Sequence, residues 1–134
     1  MADLSKTVGT MEYDGLITDL TPAVQIGGGV IRKLSVAATL KRGTVLAMSS
    51  GTSGDNKLVI LGTEASGSEV LTANCILCDD TEVGTDADVT AAVYTAGCFN
   101  ASKITATAEY TLSEADKDNL RMRGIVLKAA APAN

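Results

Sequence analysis

The sequence predicts a small, mostly β domain with one short helix, an α+β chain preceded by a flexible N-terminal arm. Three observations carry this reading. Short apolar runs of strand length recur between clusters of Gly, Ser, Asn and Asp, and one segment has helix signals at both ends. The apolar residues are mostly Ala, Val, Leu and Ile, with one Phe, three Tyr and no Trp among 134 residues. That composition suits tight turns around a core of small side chains, and the length fits one ordinary domain.

From Met1 to about Thr39 the apolar residues keep no sustained period. In "TPAVQIGGGV", Pro22 and the triplet Gly27-Gly28-Gly29 interrupt any helix or long strand. Residues 1–39 are therefore read as an arm with the glycines as its hinge. A Gly-rich stretch that cradles phosphate needs a strand before it, a helix after it and usually a Lys-Ser or Lys-Thr pair, and this one has none of them. Residues 40–128 form the domain, and "AAAPAN", 129–134, is a loose tail.

Within the domain the strand-length runs are "TVLAM" (Thr44 to Met48), "KLVILG" (Lys57 to Gly62), "NCILC" (Asn74 to Cys78), "VTAAVY" (Val89 to Tyr94) and "KITATA" (Lys103 to Ala108). Between them "SSGTSGDN", "EASGSE" and "DDTEVGTDAD" supply turn residues. The helix is predicted from about Leu112 to Met122, with Thr111 as N-cap and Glu114 completing a capping box. Glu114 and Asp116 in its first turn, Arg121 and Arg123 in its last, and Gly124 just beyond suit the helix dipole and a left-handed stop. "GIVLK" follows as a closing strand.

The net charge is -5, and no Lys or Arg run exceeds the pairs Arg32-Lys33 and Lys41-Arg42. Binding to a phosphate backbone needs a concentrated positive surface, so nucleic acid is not an expected partner. The first residues lack the apolar region of a signal peptide, and no apolar run has the length of a membrane span. A soluble protein made in a cytoplasm is expected, with no membrane partner. Three cysteines, an odd number, then read as reduced thiols.

The chain has no histidine. Acid-base and nucleophilic catalysis of the usual serine or cysteine kind is thereby excluded, and no pair of acids sits in an apolar context that would split their pKa values. Catalysis has no positive support, and the chain is read as a non-enzyme. Cys75 and Cys78 form a C-x-x-C, but zinc wants about four Cys or His ligands and only Cys98 remains. A thioredoxin-like pair opens a helix, whereas "ANCILCDD" reads as a strand, so these are buried or half-buried small residues. Asp79, Asp80, Glu82, Asp86 and Asp88 miss the spacing of a calcium loop and read as a solvated turn. No metal or cofactor is expected.

In "VYTAGCFNASKI" Phe99 is expected as a core plug and Cys98 as a bystander thiol. That stretch, with "LKRGTVLA", "KLVILG" and "ANCILCDD" before it, resembles the head decoration proteins of tailed bacteriophages over roughly Leu40 to Leu127. The resemblance implies a β-rich, β-tulip-like decoration domain that trimerises and sits outside an expanded capsid, at threefold and quasi-threefold sites. It implies the major capsid protein and further copies of the chain as partners, the virion exterior as location, and an N-terminal arm that orders on the shell by backbone pairing. Val8, Met11, Tyr13, Leu16 and Ile17 are the arm's candidate shell-binding residues. Removing Met1 to about Gly29 is expected to leave a folded domain that no longer binds. The rival reading is another phage structural or host-surface β domain, such as a tail, fibre or sugar-binding module.

Overall fold

The structure, a computed structural model, describes residues 15–19, 23–107 and 110–128. Among these residues the chain is mostly strand with one short helix, as expected. The order is β1 (Ile17–Asp19), β2 (Gln25–Ile31), β3 (Ala38–Leu40), β4 (Val45–Gly51), β5 (Leu58–Ile60), β6 (Glu69–Leu77), β7 (Thr81–Val83), β8 (Val89–Asn100), α1 (Glu114–Met122) and β9 (Ile125–Lys128).

β2, β5, β4, β6 and β8 close into a barrel, because β8 pairs with β2 along one edge and with β6 along the other. Within the barrel only the β2–β5 pairing is parallel, set by Ile31 opposite Leu58, so the barrel is mixed. Few strands enclose little space, and inward positions must be filled without crowding. Gly29 meets this requirement: a Cβ there would come within 2.5 Å of Leu58 Cδ1, at a leucine that is itself buried. The glycine triplet is therefore strand, not hinge, and pairs with Val93, Ala92 and Ala91 of β8. β3 and β7 form a separate two-stranded ribbon.

β8 is 12 residues long and serves two sheets. Up to Ala96 it is a barrel strand; from Gly97 it pairs in parallel with β9, and Cys98 and Phe99 pair with β1. Gly97 sits at the changeover with φ +145°, and a Cβ there would lie 2.9 Å from Phe99 Cζ, so this position needs a glycine on both counts. Phe99 is fully buried, its ring centroid 5.2 Å from that of Tyr94, which makes it the core plug the sequence predicts.

α1 packs against β6 and β9 through Leu120, which is buried. Its N-cap is Ser113 and its box partner Asp116, two residues later than predicted. Both registers offer a hydroxyl three residues before a carboxylate. The observed one prevails because Asp116 is also hydrogen-bonded by the Tyr110 hydroxyl, a contact Glu114 does not make. Gly124 follows the helix at φ +100°, as a left-handed stop.

Three strand expectations change. β6 and β8 run beyond their apolar runs, to Glu69 at one end and Asn100 at the other. "KITATA" forms no strand in its described part, only a bridge from Thr105 to Thr44. Ile104 and Ala106 still pack against the core, so the run was apolar for burial rather than for pairing. β1 and β2 lie inside the segment read as arm, and their pairing with β8 moves the edge of the described fold forward to Gly15.

Candidate functional site

Of the five candidate shell-binding residues, Val8, Met11 and Tyr13 lie outside the described residues. The structure places the other two in the folded body. Leu16 is 2 % exposed in the main core cluster, and Ile17 packs against that cluster while pairing with Phe99. A leucine so deeply enclosed, whose carbonyl accepts from Asn100 N at 2.7 Å, has no surface to offer a partner. Apolar residues on a short run without period signalled exposure in the sequence; what they serve is the first strand of the scaffold.

β1 is nevertheless the first described strand, just after the description begins at Gly15. β8 lies on one side of it, and among the described residues no strand pairs with its other side. Among the described residues β1 is therefore a sheet edge, the kind of position at which a further strand can be added.

Two surfaces escaped the sequence reading. Ile26 and Val30 stand out from β2, 58 % and 41 % exposed, with Gly28 between them and nothing within 4 Å of where its Cβ would be. Their spacing of four residues, which puts both on one face of a strand, was legible in "IGGGV", but the glycines hid the strand. The second surface is an apolar groove of about 400 Å³ between the 101–106 turn, the approach to α1 and β9, lined by Ala101, Ile104, Ala106, Leu112 and Leu127 with Lys117 at its side. No local pattern announces it, because its walls come from three separate segments.

Several titratable groups form one cluster around Arg32. Arg32 grips Asp55 through two contacts of 2.9 Å and also meets Glu69, whose carboxylate accepts from the Ser49 hydroxyl. The Arg32 guanidinium beside Asp55 holds that carboxyl down at about 2, and the hydrogen bonds from Ser49 and then Arg32 hold Glu69 at about 2. Unfolded carboxylates titrate near 4. Because the folded values are depressed, this stabilisation is fully present above about pH 4.5 and is lost as pH falls towards about 2. Urea midpoints should fall across that window, and Arg32→Met should both lower the midpoint at pH 7 and flatten the acid slope. An unchanged slope in the variant would exclude the cluster as its source.

The acidic turn is divided among separate partners. Asp80 accepts from Arg42 N at 2.8 Å and faces Lys41, while Asp88 accepts from Lys33 N and pairs with Lys57 at 2.6 Å. The Lys57 ammonium and the Lys33 amide hold the Asp88 carboxyl below its usual range. Cys75, Cys78 and Cys98 are all buried free thiols, and burial pushes Cys75 up to about 12 and raises Cys78. Thiols held protonated in this way are poor nucleophiles. Arg42 stacks over the Tyr94 ring at 5.3 Å and donates to its hydroxyl, closing the barrel wall beside Cys78.

Compared with protein-family models and with curated proteins, the chain finds no match.

Proposed function

We propose that the chain is a capsid decoration protein that binds the outer face of an expanded phage head as trimers at threefold and quasi-threefold sites, cementing the shell against the pressure of packed DNA. The observation that carries this is that an unpatterned N-terminal segment precedes a β-rich body whose first strand, β1, is paired among the described residues on one side only, with β8. The motif order resembling head decoration proteins supports it, and the finer β-tulip-like description of the domain belongs to the same reading.

The mechanism is non-enzymatic. The arm adds a strand to the major capsid protein, with Val8, Met11 and Tyr13 entering pockets. Ordering the arm costs roughly 1–2 kcal/mol per residue, so one arm binds weakly. Three arms on a trimer raise avidity by about a hundredfold or more, and only an assembled lattice offers three edges at the right spacing. A ligand that binds the closed shell and not its separated subunits shifts the equilibrium towards the closed shell.

Electron microscopy of expanded capsids mixed with the purified protein should show added density at threefold positions. Capsids left bare at saturating protein would reject the proposal. Sedimentation of the free protein reports separately whether trimers exist before docking.

A further inference from the structure

We propose that the free edge of β2, from Ile26 to Val30, pairs with the same edge of a second copy of the chain, antiparallel about a two-fold axis at Gly28. β8 pairs with one side of β2 at every residue from Gln25 to Ile31, whereas β5 meets the other side only where Ile31 lies opposite Leu58. From that point β5 runs parallel to β2 and so away from Ile26–Val30, and among the described residues no other strand pairs there. Every second residue of an antiparallel strand turns its N–H and C=O away from its partner, so this stretch presents main-chain donors and acceptors along an open edge. Edges that must stay single carry a charge or a proline, and Gln25–Ile31 carries neither.

The residues on this edge name a second copy as its occupant. Ile26 and Val30 are 58 % and 41 % exposed on the outer face, with Gly28 between them. A two-fold axis at Gly28 sets Ile26 opposite Val30 of the second copy, and Val30 opposite its Ile26, so one register brings all four side chains into β-branched cross-strand pairs. Gly28 faces itself there, with nothing within 4 Å of its Cβ position, and the strands meet without a side chain between them. Thr90 and Ala92 of β8, the exposed neighbours opposite Val30 and Gly28, add no charge. The chain has a net charge of -5, so two copies repel unless they meet on a surface free of acids, and a charged partner gains nothing from this edge. A contact this short buries less than the roughly 1,200 Å² of a stable interface, so the pair parts readily and its population rises with concentration. It goes beyond the shell-binding proposal, because the contact is two-fold rather than threefold and its test contains no capsid.

The test is disulfide trapping in the full chain. Gly28→Cys puts a thiol at the axis, where Cα atoms of directly opposed residues stand about 4.5–5.5 Å apart, within disulfide range. Gly28 has no positive φ and open space at its Cβ position, so the substitution brings no strain, and the three native cysteines are buried. Mild oxidation should give a disulfide-linked dimer, with no comparable link from Val70→Cys, at a residue 52 % exposed on β6. Adding Ile26→Lys should abolish the Gly28→Cys link, because a lysine on an edge blocks strand pairing. A link that survives Ile26→Lys reports random collision and overturns the proposal, as does the absence of any link. As a second readout, amide exchange between Ile26 and Val30 in the unaltered chain should slow as concentration rises. Protection that dilution leaves unchanged assigns the edge to residues of the same chain and overturns the pairing, and so do amides that stay unprotected at every concentration.

Discussion

Deleting residues 1–14 is expected to leave a cooperatively folding domain with a melting temperature close to that of the full chain, and to abolish decoration of capsids. Deleting 1–29 is expected to prevent folding altogether. The second deletion, which the sequence alone suggested would leave the domain folded though unable to bind, removes Leu16 from the core, all of β1 and most of β2. Without β2 the barrel opens between β8 and β5, and Leu58 loses the strand it packs against. Circular dichroism and co-sedimentation with capsids check the pair. If the shorter deletion still decorates at normal affinity, the arm is not the binding element. If the longer one folds, the barrel closure is not what holds the domain together.

Phe99→Ala should lower stability by about 3–5 kcal/mol, the range for removing a fully buried ring that its surroundings cannot refill. The ring lies where β8 passes from the barrel to the β1-β8-β9 sheet, packed on Tyr94 and over Gly97. Against a total stability of about 5–15 kcal/mol the loss takes a large share, and the melting temperature should drop by on the order of 15 °C. Val70→Ala, at a residue 52 % exposed, is the control and should stay within about 0.5 kcal/mol. A Phe99→Ala variant that melts within a few degrees of the parent would show that the ring is not a plug.

Much of the body was legible because its signals are local. The apolar runs marked β4, β5, β6 and β8, the capping pattern and Gly124 marked α1, and the scarcity of large aromatics pointed to Phe99 as the buried one. β1 and β2 were not legible, because their pairing partner β8 lies near the other end of the chain, β1 is only three residues long and three glycines interrupt β2. Glycine in isolation signals freedom; in β2 it signals close approach to Leu58. The same limit applies to the candidate site. Leu16 and Ile17 were chosen as exposed apolar groups, and nothing in their neighbours in sequence reveals that Asn100 and Phe99 wait for them.

The sequence by itself determined a mostly β chain with one helix, a histidine-free composition and an unpatterned N-terminal segment, since each follows from residue type or short-range spacing. Only the tertiary structure decided where that segment ends, that the glycine triplet closes a barrel, and that Ala101, Leu112 and Leu127 share a groove. Those are contacts between residues far apart in the chain, fixed by burial and main-chain pairing, and no local window contains both partners.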